Sequence, residues 1–285
     1  MTPFEASWRR LRRNRMAVVC GALLIAIALF CLLGPVIAES LGITGVTQDA
    51  RLGATPPSTA HWMGTDVLGR DLLVRCMEGG RYALLVALLG TSVALLIGVS
   101  WGAISAYAGG RLDDVMMRIV DVLYALPTIM FVIVVQAVVD VQSLFLLFLL
   151  IGGISWLTMA RIVRGQVMSL KHREFVEAAR ALGASPGRLL FGHIVPNTAG
   201  PIIVYATLSI PNVMLTEAVL SFLGLGVQAP RASWGTLVAE GVGQLVVYPW
   251  VLAGPGLFLA VTIFAFNFLG DGLRDALDPQ TRASH

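Results

Sequence analysis

The sequence predicts an all-α membrane protein with six transmembrane helices, a helical cytoplasmic insert and an ordered extracytoplasmic loop after the first helix. Three observations predict it. Hydrophobic residues make up 56% of the 285 and charged residues only 13%, with a mean hydropathy of +0.80, which excludes an ordinary soluble domain. The apolar residues gather in six runs at 16–38, 82–107, 118–139, 143–160, 198–220 and 248–269, each close to the roughly 20 residues that cross ~30 Å of hydrocarbon. Of the 20 Lys and Arg, fifteen fall on the side of the two termini and five on the other. Positive charge stays inside, so both termini are expected in the cytoplasm. The formal net charge of +3 then reports topology, and nucleic acid is not an expected partner.

The chain divides by composition into a cytoplasmic amphipathic segment (1–15), the first span (16–38), an extracytoplasmic loop (39–80), a five-span core (81–270) and a cytoplasmic tail (271–285). Trp8 and Leu11 lie among five arginines before the first span, a pattern that suits an anionic leaflet or a plain stop-transfer anchor. The span itself is too long, and lacks the small-residue cleavage site, for a removable signal peptide. In the loop, Gly64 and Gly69 permit tight turns around Thr65, and Asp66, Arg70 and Asp71 can pair locally. This loop reads as a rigid cap that contacts an external partner. A metal site on His61, Asp66 and Asp71 is the weaker reading, because the spacing favours no coordination geometry.

Within the core, Gly98 and Gly102 let the second span approach another helix closely. Pro127 interrupts the third span, and Asp140 and Gln142 mark the outer turn of a hairpin with the fourth. Pro211 and the Gly224-Leu-Gly226 break make the fifth bendable. Intramembrane polar residues are few. Gln136, Asn212 and Glu217 are the candidates for lining a path, Glu217 foremost; bonding between helices is the alternative for Asn212 and Asn267. Cys20, Cys31 and Cys76 have no metal or disulfide spacing and read as packing.

The polar insert at 161–200 carries most information. Phe175, Ala178, Ala179 and Leu182 lie at helical spacing in a short helix. Arg173 with Glu177, and Glu177 with Arg180, are spaced for ion pairs along one face. Gly183 suits the left-handed residue that ends a helix, and Ser185-Pro186 reads as the cap and first residue of a second short helix. Pro196 and Pro201 open the next span. Two short helices at an angle form a compact knob for docking a partner; a helix lying on lipid is the alternative.

These residues also resemble a family. Glu177-Ala178-Ala179, Gly183 six residues after Glu177 and Pro196 nineteen after it are similar to the "EAA" loop of ABC importer permeases. The general pattern has isoleucine where this chain has His193, with Ile194 next and Val195 for leucine. That variant resembles the dipeptide/oligopeptide/nickel branch. Four further stretches agree: Gly64-Thr-Asp-x-x-Gly-Arg-Asp71, Tyr107-Ala-Gly-Gly-Arg-x-Asp-Asp114, Ser221-Phe-Leu-Gly-Leu-Gly-Val-Gln228 with Trp234-Gly-Thr236, and the run from Asn267 to Pro279. Together they resemble the C-type permease subunit. The resemblance implies the type I importer permease fold, a heterodimer with a second homologous permease, two ATP-binding subunits and an extracytoplasmic substrate-binding protein, in a bacterial cytoplasmic (inner) membrane. It implies that the insert is a coupling helix seated on an ATPase, with Glu177, Ala178, Ala179 and Gly183 in contact and Arg173 and Arg180 flanking. Glu174, Leu182, Ser185 and Pro186 complete that docking set. ATP and Mg would then sit on the partner subunits, and the implied cargo is short peptides, with nickel chelates, opines or glutathione as alternatives.

No Gly-x-x-x-x-Gly-Lys-Ser/Thr phosphate loop occurs, so ATP chemistry is expected elsewhere; with no metal-spaced cluster or catalytic set either, no cofactor, metal or catalytic residue is expected on this chain. A self-sufficient secondary carrier would need inverted repeats and midplane charges. An intramembrane enzyme would need a catalytic constellation. The sequence presents neither.

Overall fold

The computed structural model describes residues 3–139 and 143–277. Asp140 and Gln142, assigned above to an outer turn, and the tail from 278 lie outside the described residues. Eleven α-helices and one π-helical segment account for the regular structure among the described residues, with a lone bridge between Thr65 and Asp71. Five helices are long and apolar enough to cross a membrane, and the count reaches six if one bent pair is a single span.

Helix α1 (Pro3–Arg13) is separated from α2 (Arg15–Ser40) by Asn14, whose Oδ1 accepts the Ala17 N–H at 3.2 Å. Helix α2 buries only Ala17, Cys20, Ile27, Cys31, Pro35 and Ala38. That spacing is one helical stripe, packed on α3 and α11, while the other faces stay apolar and exposed.

Helix α3 (Leu72–Ala108) starts ten residues before the expected span. Its 37 residues reach about 55 Å at 1.5 Å per residue, so it projects beyond the hydrocarbon. The early turns contain Arg75, Glu78 and Arg81, charges that read as loop but find partners in the protein. Arg81 Nε, for example, donates to the Cys31 carbonyl at 2.8 Å. Against α6 (Leu144–Leu170), α3 makes the closest approach in the bundle. A Cβ on Gly98 would sit 2.8 Å from the Trp156 carbonyl oxygen, and one on Gly102 would strike the carbonyl of Ala160. Small residues are required there because backbone meets backbone.

The third span departs from expectation. It is two helices, α4 (Gly110–Tyr124) and α5 (Thr128–Val139), bent by 84°. Pro127 supplies no N–H and its ring excludes the residue before it from helix, so the chain restarts at Phe131, whose N–H bonds the Pro127 carbonyl. Gly109, which caps α4, and Gly110, its first residue, both have positive φ.

After α6 come α7 (Glu174–Ala181), the π-helical Arg188–Ile194 and α8 (Val195–Asn197), a single turn. Pro196 thus lies in that turn, and the next span, α9 (Ala199–Phe222), begins only after Thr198. Helix α10 (Trp234–Val242), which the sequence reading does not contain, folds back beside α9 on a Ser233–Thr236 capping box before α11 (Pro249–Leu277) closes the bundle. Two large core clusters sit toward opposite ends. One is centred on Trp234, Leu72 and Met214, and the other on Met159, Leu189 and Ile194.

Candidate functional site

Within the knob at 171–197, helix α7 is held by a single anchor. Val176 is the one residue that α7 buries, and it packs with Ala103 and Ala106 of α3, Val163 and Val167 of α6, and Leu189, Leu190 and Ile194 of the π-helical segment. Helix α7 ends by a Schellman motif: Ala184 N–H bonds the Ala179 carbonyl, Gly183 N–H bonds the Arg180 carbonyl, and Gly183 has φ +81°. That conformation favours glycine. The second element starts at Pro186, with the Ser185 carbonyl accepting Leu189 N–H at 2.9 Å. It then widens into a π-helix that turns Leu189 and Leu190 inward.

Everything else on α7 faces out. Glu174, Glu177, Ala178, Arg180, Leu182, Gly183, Ser185 and Pro186 are exposed, together with Arg173 before it; Ala179 is half-buried. Leu182 is 89% exposed and Phe175 41%. Of the expected apolar stripe, Phe175, Ala178 and Leu182 therefore point away from the bundle, and only Ala179 packs beside Val176, the inward residue. The expected ion pairs are not formed: among the described residues, Arg173, Glu177 and Arg180 take part in none. Their side chains are exposed around an apolar centre of Phe175 and Leu182.

At the opposite end, the residues 64–71 do something else. Thr65 and Asp66 are 0% and 1% exposed. The Thr65 hydroxyl donates to the Gly53 carbonyl and accepts the Thr55 N–H, at 2.7 and 2.8 Å. Asp66 takes Arg70 Nε and Arg75 Nη1 at 2.7 Å each, and Arg75 reaches on to Glu240 of α10 at 2.7 Å. Asp71 caps α3 by accepting Val74 N–H at 3.0 Å, while its second oxygen pairs with His61 at 2.9 Å. Gly64 and Gly69 turn at positive φ where a Cβ would meet the carbonyls of Thr55 and Asp49. This motif is a staple within the chain, its named residues buried or bonded internally, so any contact of the loop with an external partner falls on its other side chains. The exposed side chains nearby are those of Trp62, Val67 and Leu68. Among the described residues no group of His, Cys, Asp and Glu is arranged to hold a metal ion.

The three path candidates do not converge. Glu217 is 1% exposed and accepts Ser221 Oγ and Ser233 Oγ at 2.7 and 2.6 Å. It faces no open space and ties the end of α9 to the start of α10, which corrects its assignment as the foremost path-lining residue. The Glu217–Ser221 spacing of four residues was the available signal. Asn212 is exposed and bonds the Leu208 carbonyl of its own helix at 3.4 Å. Asn267 likewise bonds its own helix, at Ile263, rather than another. Gln136 lines a cleft of about 430 Å³ with Ser143, Gln228 and Arg231, and donates to the Leu225 carbonyl at 3.3 Å. Sequence reasoning missed Arg75–Glu240 and Arg164–Asp113, long-range pairs that no local spacing announces.

Comparison with known proteins fits this geometry. Residues 94–283 match the family described as binding-protein-dependent transport system inner membrane component, and residues 2–56 match the N-terminal TM domain of oligopeptide transport permease C. The chain is 45% identical to the oligopeptide transport system permease protein OppC of Bacillus subtilis, over 96% of this chain and 88% of that one. It is 46% identical to OppC of Escherichia coli, over 96% and 90%, and 40% identical to the dipeptide transport system permease protein DppC of Bacillus subtilis, over 98% and 86%. Its fold is similar to a chain of the inward-facing MetNI methionine ABC transporter, with TM-score 0.58 and 18% identity over 73% of this chain and 96% of that one. A helical bundle with one outward-facing knob, matched to these relatives over nearly its whole length, belongs to the inner-membrane permease family of binding-protein-dependent ABC importers.

Proposed function

We propose that this permease forms half of a translocation path for short peptides and works by alternating access. Its curated relatives are named for oligopeptide and dipeptide transport, which supports peptides over nickel chelates, opines or glutathione. The observation that carries the reading is the knob, where one buried valine holds a helix whose other side chains are largely presented outward. A helix so exposed is seated on something in the assembled protein. The seat is one of two separate ATP-binding subunits, which hold ATP and Mg and perform all hydrolysis. A second, homologous permease completes the path, and an extracytoplasmic binding protein delivers cargo. Both termini and the knob lie in the cytoplasm, as the unequal division of Lys and Arg supports.

ATP-driven closure of the ATPase pair draws the two knobs together, and the spans packed on them swing to open the path outward. Release of hydrolysis products returns it. The small side chain of Ala178 lets the partner's groove close on the helix backbone, so Ala178→Trp is expected to abolish peptide uptake and ATPase co-purification while the chain stays in the membrane. Normal uptake by that variant in the assembled complex would refute the docking.

A further inference from the structure

Helix α4 is a rod between two breaks. Positive-φ Gly109 precedes it, Gly110, also at positive φ, is its first residue, and the 84° bend at 125–127 follows it. Of its fifteen residues it buries only Asp113 and Val120. A helix with so little packing is positioned by its polar ties. Asp113 accepts Arg164 Nε and Nη2 at 2.7 and 2.6 Å, the two-pronged geometry that fixes direction as well as distance. It also accepts the Ser105 hydroxyl from the end of α3. One turn away on α6, Arg161 pairs with Asp121 at 2.8 Å, but there both groups are largely exposed.

Arg164 sits on α6 between Val163 and Val167, which belong to the same buried cluster as Val176 of the knob. The same stretch of α6 therefore shares a core with the knob on one side and grips α4 on the other. We infer that the Asp113–Arg164 pair is the joint that passes displacement of the knob to the bent span α4–α5, which makes these two residues positioning residues for coupling. The inference rests on the reading of the knob as the ATPase seat. Val120 and Met117 of α4 also pack with Trp156, Leu157 and Ala160 of α6, and Arg161 lies over the Tyr124 ring; among these ties Asp113–Arg164 is the two-pronged one that fixes direction.

The test uses the complete transporter in proteoliposomes with a single reporter cysteine replacing Val138, 78% exposed on α5, the three native cysteines being buried. Maleimide labelling is compared with and without vanadate-trapped ATP, and peptide import is measured in parallel. With the pair intact, labelling changes with nucleotide. Asp113→Asn and Arg164→Gln are each expected to keep hydrolysis within about twofold while the nucleotide-dependent labelling change and import fall about tenfold, the usual scale of coupling between sites. Asp121→Asn, which removes the exposed pair, is expected to cost no more than about threefold. Where the neutral variants do not assemble, Arg164→Lys keeps the charge but loses the fork, and is expected to reduce the labelling change about threefold. An undiminished labelling change in any assembled variant of the pair, a parallel fall of hydrolysis and labelling, or labelling insensitive to nucleotide with the pair intact overturns the joint. If labelling responds but peptide is not imported, the cargo reading fails and the joint stands.

Discussion

The two ends of this bundle treat their sequence motifs in opposite ways. At one end the residues from Arg173 to Pro186 are presented outward on a single buried anchor, Val176. At the other, Thr65, Asp66 and Asp71 are buried and bonded to the chain's own backbone, to Arg70 and Arg75, and to His61. Both stretches carry glycines, charges and helix-capping residues, and both read as contact surfaces in sequence. The structure separates them by asking whether the polar groups are already satisfied. Satisfied groups hold the fold; the exposed ones, set around an apolar centre, are free to take part in the docking proposed above.

That contrast is most easily broken at Arg75. Its guanidinium is 4% exposed and bridges Asp66 to Glu240. Arg75→Met leaves Asp66 buried with Arg70 alone, and loss of one member of a buried ionic set costs about 3–5 kcal/mol. The expected result is a large drop in the thermal stability of the detergent-solubilised chain, with poor accumulation in the membrane. Import per folded molecule should change little. A variant as stable as the parent but unable to import would show that this end contacts a partner after all.

Gly183→Val comes next. A β-branched residue forced to φ +81° costs about 1–2 kcal/mol, and nothing lies within 4 Å of a Cβ placed there, so the penalty is backbone strain without a clash. The strain falls on the turn that orients α7. Stability should decline modestly and import severely, the reverse of the Arg75 pattern. Equal fractional losses of both would erase the distinction between the ends.

How much of this was legible follows from which forces act locally. Helices α2, α6, α9 and α11 were visible because lipid demands long apolar runs. The end of α7 at Gly183 and the restart at Pro186 were visible because caps are written within a few residues. The first turns of α3 were not: Arg75, Glu78 and Arg81 look like loop until distant partners are known, and the Arg75–Glu240 tie spans 165 residues. The first eight residues of α4, with Arg111, Asp113 and Asp114, fall outside the apolar run that starts at 118. Helix α10 is nine residues long and its capping box uses Thr236 rather than Glu or Gln at the third position, so the usual signature is missing. Glu217 was misplaced because a lone intramembrane carboxylate suggests a water path, whereas two serine hydroxyls from Ser221 and Ser233 satisfy it inside the protein.

The finest discrimination between the ends comes from Leu182, where the effect on the fold should be smallest. The side chain is 89% exposed, so Leu182→Ser should leave stability within about 0.5 kcal/mol, as for surface positions generally. If the ATPase groove buries this leucine, its contribution to docking is about 1.5–3 kcal/mol, which corresponds to roughly a 10- to 150-fold weaker association. Titrating purified ATPase subunits against the permease in nanodiscs would read that shift directly, without relying on import. An unchanged affinity would mean that the exposed leucine lies outside the groove and that Glu177, Ala178 and the flanking arginines carry the contact alone. A weakened affinity at unchanged melting temperature would place the apolar centre of the knob inside the seat, because only an interaction absent from the isolated chain can be lost without disturbing its fold.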